Sequence, residues 1–187
     1  GNFIDFGDLT GGNERAAGVS GSPGAGAGNG NAYGDRGVIF NASSSLDGGN
    51  DNHSQRIEYF DITTTGNAAA FGLMTQKQDV NNSYNSDRGA SNGNRAVACL
   101  YHGPYPGTVG SLEYVATATL GNSASFGTNT FRESLMGLSD GTKAYYAGGP
   151  WGGGIYGSGS QTNLGTNVEV VTIDTTGNAT DSGYGTQ

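Results

Sequence analysis

Short apolar runs separated by polar, glycine-rich stretches set the pattern along most of the chain. Three runs are alike: Ile57-Glu58-Tyr59-Phe60-Asp61-Ile62-Thr63, Leu112-Glu113-Tyr114-Val115-Ala116-Thr117-Ala118 and Val168-Glu169-Val170-Val171-Thr172-Ile173-Asp174. Each is β-branched and aromatic and partly alternates, which predicts a strand. A second set is Arg36-Gly37-Val38-Ile39-Phe40, Arg95-Ala96-Val97-Ala98-Cys99-Leu100 and Lys143-Ala144-Tyr145-Tyr146-Ala147. In these a cation follows turn residues and leads a short apolar strand. A fainter set covers Glu14 to Ser20, Asp79 to Ser83 and Glu133 to Ser139, with Gly18 and Ser20 matching Gly137 and Ser139.

These sets recur in one order, punctuated by Gly-Asn and, a few residues later, an aromatic-Gly pair. The copies are Gly1-Asn2 with Phe6-Gly7, Gly66-Asn67 with Phe71-Gly72, and Gly121-Asn122 with Phe126-Gly127. A fourth has Gly177-Asn178 with Ser182-Gly183. The pattern divides a single repeat domain over 1–187 into approximate repeats 1–65, 66–120 and 121–176, with a partial copy over 177–187. Each repeat is predicted to hold four strands, with Gly-Asn as a tight turn into the next strand. A four-stranded unit of this size matches a β-propeller blade. It buries both faces only by stacking on its neighbours. The predicted packing set is Phe6, Phe71 and Phe126; Ile57, Leu112 and Val168; Tyr59 and Tyr114. The expectation is an all-β chain of about three antiparallel blades. Three do not close a propeller, so the blades belong to a larger array, are completed by oligomerisation, or stack as a prism or solenoid.

Composition narrows the function classes. The 36 glycines suit many tight turns. With 13% charged residues, the surface lacks the Glu, Lys and Arg of long helices. A net charge of −8 argues against nucleic acid and an anionic membrane surface. No apolar run reaches the length of a membrane helix, so no membrane insertion is expected. The lone Cys99 forms no intramolecular disulfide and reads as a small buried hydrophobe.

The order of motifs resembles kelch-type propeller repeats. Gly148-Gly149 follows the Lys143–Ala147 run, and Thr175-Thr176-Gly177-Asn178 leads to the aromatic-Gly position. Phe6-Gly7-Asp8-Leu9-Thr10 and Ile57-Glu58-Tyr59 resemble more closely the degenerate kelch-like repeats of tail-fibre and virion structural proteins of marine and cyanobacterial phages. The departures are the missing Gly-Gly of the second copy, the displaced Gly48-Gly49 of the first, and Ser182 in place of the last aromatic. The resemblance implies a propeller-like fold and a structural or adhesive role on a virion or other extracellular surface.

Candidate chemistry lies in the segments that differ between copies. Tyr101, His102 and Tyr105 follow one mid-repeat strand, and Trp151 and Tyr156 follow the equivalent strand of the next repeat. Exposed aromatic rings suit stacking on sugars or packing on a protein, and such rings also cap sheet ends. These five are the candidate binding residues. Asp47, Asn50 and Asp51 offer oxygens to calcium, without the loop pattern of a calcium motif. Gly24 to Gly28 lacks the helix and lysine of a phosphate cradle. The recurring Glu58, Glu113 and Glu169, and the recurring Arg36, Arg95 and Lys143, read as structural contacts repeated in every blade rather than as a catalytic ring. No Ser-His-Asp, Cys-His or metal-ligand spacing stands out, so no cofactor and no enzymatic activity are expected. The chain is read as an adhesion module for a cell-surface glycan or receptor protein, self-associating or joined to other virion or filament proteins. The alternatives are a purely architectural subunit and a glycan depolymerase.

Overall fold

The computed structural model describes residues 3–10, 17–20, 36–40, 53–79, 88–100, 110–130, 136–148 and 168–184. The first four strands are β1 (Ala17–Ser20), β2 (Arg36–Phe40), β3 (His53–Asp61) and β4 (Ala69–Asp79). Next come β5 (Arg88–Ser91), β6 (Arg95–Leu100), β7 (Gly110–Ala116) and β8 (Ala124–Asn129). The last are β9 (Met136–Ser139), β10 (Lys143–Ala147), β11 (Val168–Thr172) and β12 (Thr180–Asp181). They form three four-stranded sheets, each taking its strands in chain order, all antiparallel. No helix is present among the described residues. The expected all-β architecture of three four-stranded antiparallel units is what the chain forms.

The hairpins turn where the sequence supplies short polar side chains. In Ser91-Asn92-Gly93-Asn94-Arg95, the Asn92 amide oxygen accepts from the Asn94 and Arg95 N–H groups at 3.1 and 2.9 Å. In Ser139-Asp140-Gly141-Thr142-Lys143, the Asp140 carboxylate accepts from Thr142 and Lys143 at 2.8 and 2.7 Å. Gly93 and Gly141 take the positive φ that such turns demand, 92° and 88°. The Lys143 and Thr142 N–H groups, joined by the Tyr145 hydroxyl, hold the Asp140 carboxyl below the usual aspartate range.

Packing follows the strand alternation. Along β6, Ala96, Ala98 and Leu100 face the first sheet, where they meet Val38, Phe40, Ile57, Phe71 and Met74. Val97 and Cys99 face the third sheet and share a cluster with Leu112, Phe126, Ala144, Tyr146, Val171 and Ile173. The middle sheet is therefore covered on both sides, which explains why β6 reads as an unbroken apolar run. Each fully buried Ile, Leu or Phe contributes about 1.5–3 kcal/mol by leaving water. Burial, with the adjacent Cys99, pushes the Tyr146 phenol well above its usual range, and its hydroxyl donates to the Val97 carbonyl at 3.2 Å.

Of the predicted packing set, Phe71, Phe126, Ile57 and Leu112 are buried, and Tyr59 and Tyr114 pack against the two clusters. Val168 is half-buried because no described sheet covers its face. Phe6 is 38% exposed and lies edge-on to Phe60, ring centroids 5.7 Å apart.

One expected strand lies elsewhere. The sequence pattern puts the first strand of the second repeat at Asp79–Ser83, whereas Asp79 ends β4 and the first strand is Arg88–Ser91. The reason is steric. First strands touch across the sheets at Gly89 and Gly137: a Cβ on Gly89 would run into the Val19 side chain, and one on Gly137 into the Gly89 backbone. The shared signature is therefore Gly, apolar, Ser, in Gly18-Val19-Ser20, Gly89-Ala90-Ser91 and Gly137-Leu138-Ser139.

The same sterics separate two kinds of glycine. A Cβ on Gly72 or Gly127 would overlap the carbonyl of Gly121 or Gly177, while Gly121 and Gly177 themselves face open space. Gly72→Ala and Gly127→Ala are expected to cost about 1–3 kcal/mol each, as overpacking does. Gly121→Ala is expected to be near neutral. Urea unfolding of the three variants checks this, and equal stability across them would contradict it.

Candidate functional site

The recurrent motifs meet between sheets, not within them. Residues 66–68 of the first sheet lie along residues 6–8. The Gly66 N–H donates to the Phe6 carbonyl and the Ala68 N–H to the Asp8 carbonyl, both at 2.8 Å. The Asn67 side-chain oxygen accepts from the Asp8 N–H at 3.0 Å. The second sheet holds the first in the same way. Gly121 donates to Phe71 at 3.0 Å, Ser123 to Leu73 at 2.9 Å, and Asn122 accepts from the Leu73 N–H at 3.0 Å. The third holds the second likewise: Gly177 to Phe126 and Ala179 to Thr128 at 2.8 Å, and Asn178 from the Thr128 N–H at 3.1 Å. Backbones this close leave no room for a Cβ at Gly7, Gly72 or Gly127.

A buried carboxylate completes each clasp. Glu58, Glu113 and Glu169 sit at one position of the third strand and point toward the preceding unit. Each accepts the N–H of a threonine three residues beyond the clasped glycine: Thr10 to Glu58, Thr75 to Glu113 and Thr130 to Glu169, all at 3.0 Å. The Thr10 and Thr75 hydroxyls donate to the same carboxylates, and the Ser123 hydroxyl donates to Glu113. The geometry of the carboxylates is that of acceptors shared between neighbouring units. The repeated-contact reading of these glutamates holds, with the contact between neighbouring units rather than inside one.

The cations work in the opposite direction. Arg36 Nη1 donates to the Thr117 carbonyl of the second sheet at 2.6 Å, and Arg95 Nη1 to the Ile173 carbonyl of the third at 3.0 Å. Each guanidinium lies over a tyrosine of its own sheet, Tyr59 at 4.6 Å and Tyr114 at 4.3 Å. Those rings in turn meet Phe71 and Phe126 edge-on at 6.1 and 5.9 Å. In the third sheet the corresponding residues are Lys143, Val170 and Ser182, so the ladder of cation, tyrosine and phenylalanine stops there.

Sequence reasoning missed the asparagine oxygens and the threonines as partners. A signal for them exists. Gly-x-x-Thr recurs at Gly7 to Thr10, Gly72 to Thr75, Gly127 to Thr130 and Gly183 to Thr186.

The five candidate binding residues, Tyr101, His102, Tyr105, Trp151 and Tyr156, lie outside the described residues, as do Asp47, Asn50 and Asp51 of the calcium reading. The strand ends that flank them are described. Cys99 pairs with Leu112 across β6 and β7, and Ala147 pairs with Val168 across β10 and β11. These are corresponding positions of neighbouring sheets. At the first pair, the Asn129 amide donates to the Cys99 sulfur at 3.0 Å. The Asn129 side-chain oxygen and the Ser111 hydroxyl are buried there with no hydrogen-bond partner among the described residues. Among the described residues no group of three or more His, Cys, Asp or Glu converges to hold a metal, and no helix is long and apolar enough to cross a membrane. No protein-family model and no curated protein matches the chain.

Replacing Glu113 by Leu removes the acceptor of the Thr75 N–H and of the Thr75 hydroxyl, and one of the two acceptors of the Ser123 hydroxyl. The expected cost is about 1.5–3 kcal/mol, the range for hydrogen bonds to a charged group. Glu113→Gln, which keeps one oxygen, is expected to cost less. Denaturant unfolding of both variants measures this, and a Leu variant as stable as the parent would contradict the role.

Proposed function

We propose that this chain is an extracellular or virion-surface structural and adhesion module. Its sheets act as kelch-like propeller blades and carry variable aromatic and glycine-rich segments toward a cell-surface glycan or receptor protein. The observation that carries the reading is the equivalence of the Cys99–Leu112 and Ala147–Val168 strand ends. From these neighbouring ends run the segments that contain Tyr101, His102, Tyr105, Trp151 and Tyr156. A framework clasped identically at every unit tolerates change in the segments it carries, which is how repeat scaffolds acquire binding surfaces. The backbone N–H that each recurrent carboxylate accepts from the neighbouring unit supports a scaffold role for them, and the reading assigns no reaction to the chain.

A purely architectural subunit is the second reading. It is favoured by the apolar side chains exposed at the two ends of the stack, Phe3 and Ile4 at one and Met136 and Leu138 at the other.

The two readings separate on the aromatic segments. The double variant Tyr105→Ala/Trp151→Ala is expected to lose at least about tenfold in binding to a glycan array or to host cells, as truncation of aromatic anchors does, with its circular dichroism unchanged. Binding unaltered by both substitutions would remove these segments from the adhesion reading.

A further inference from the structure

Residues 3–10 form the same clasp on the first sheet that β4 forms on the second and β8 on the third. β4 and β8 also pair, on their other edge, with β3 and β7. Among the described residues, no strand pairs with 3–10 in that way. Among the described residues this segment therefore has the neighbour of a fourth strand without a sheet to pair with.

The opposite end of the stack has the complementary defect. β12 is only Thr180–Asp181, paired to Val170 and Glu169, and Ser182 stands where β4 and β8 bring Phe71 and Phe126. The outward face of β9–β12 presents Leu138, Tyr145, Val168 and Val170 at the positions that the first two sheets bury against a neighbour. Leu138 is 55% exposed. A cleft of about 390 Å³ lies beside Val170, lined also by Lys143, Thr172, Thr175 and Asn178. Val170 is the counterpart of the tyrosines that fill this position in the other sheets.

We propose that a second copy of this chain occupies that face, with its residues 3–10 taking the place of β12. The interface would continue the two already present in the stack, so its register is fixed. Strand pairing of Tyr59 with Ala69 and of Tyr114 with Ala124 places the incoming Ile4 opposite Val170. Phe6 then supplies the aromatic that Ser182 lacks. Sizes also match across the contact. The first sheet carries Phe60 where the second and third carry Val115 and Val171, and the third sheet carries Val170 where the others carry tyrosine. The larger ring meets the smaller side chain, opposite the cleft. Lys143, in the place of Arg36 and Arg95, reaches toward the Ile62 carbonyl of the second copy, the counterpart of the Thr117 and Ile173 carbonyls. Such a contact is heterologous, so it propagates head to tail and closes where the rotation allows. It holds whether the aromatic segments bind a glycan or not, because it uses neither Trp151 nor Tyr105.

Mixing an Ile4→Cys chain with a Val170→Cys chain under mild oxidation is the test. Residues directly opposite across two strands lie within disulfide reach, and the native Cys99 is buried. The expected product is a covalent heterodimer on a non-reducing gel, with neither variant cross-linking alone to the same extent. The parent protein is expected to exceed the monomer mass in light scattering at about 50 μM, since association depends on concentration. A Val170→Cys/Thr180→Cys chain, whose internal disulfide pins β12, is expected to be monomeric when oxidised and to associate again when reduced. Circular dichroism reports whether each variant is folded. A monomeric parent, no cross-link between the mixed chains, or undiminished association of the pinned chain would overturn the proposal.

Discussion

A carboxylate and an amide oxygen from one sheet, accepting backbone hydrogens from the strand of the sheet before it, set the conditions for everything else in this fold. Glu113 and Asn122 hold Thr75 and Leu73 as Glu169 and Asn178 hold Thr130 and Thr128. The strand that is gripped lies at the edge of its own sheet, and an edge strand has N–H and C=O groups to spare. Giving those groups to the neighbour removes an aggregation hazard and fixes the spacing of the sheets. The burial of Val38, Phe40, Ala98 and Leu100 between the first two sheets depends on that spacing, as does the burial of Val97, Leu112, Tyr146 and Ile173 between the second and third.

The clasp also explains the unusual composition. The approach of the Gly121 carbonyl to Gly72 excludes a Cβ there, and inner contacts at Gly89 and Gly137 exclude it at the other edge. With small residues forced at these points, hydrophobic area is confined to a few positions per strand. Directional hydrogen bonds to buried carboxylates then supply specificity that a thin apolar layer would not. Arg36 and Arg95 add a second tether in the reverse direction, so each interface is held from both partners.

Much of this was legible in the chain itself. The second and third strands of each sheet followed from Arg95–Leu100 and its counterparts and from Ile57–Thr63 and its counterparts, because β-branched and aromatic clusters bounded by Gly, Asn and Thr have few other solutions. The burial of Phe71, Ile57 and Leu112 followed from their recurrence. The partner of each motif was not legible. Gly-Asn and Phe-Gly are neighbours in sequence, which reads as one turn and one strand. In space the Gly-Asn of one unit grips the Phe-Gly of the unit before, a relation that only stacking creates. The first strand of the second repeat was misplaced because its mark is a single close-approach glycine, Gly89, in a stretch with many glycines. The aromatic candidates Trp151 and Tyr105 rest on residue type and position in the repeat, since their segments lie outside the described residues.

Amide hydrogen exchange, read residue by residue, tests the clasp most directly. The N–H groups of Leu73, Thr75, Thr128 and Thr130 point away from their own sheets toward side chains of the next. If those side chains hold the stack together, these amides exchange only in the global unfolding that also releases Val97 and Leu112. Rapid exchange at these four positions, with the β6 and β7 amides still protected, would show that the sheets stand without the clasp and would contradict the account.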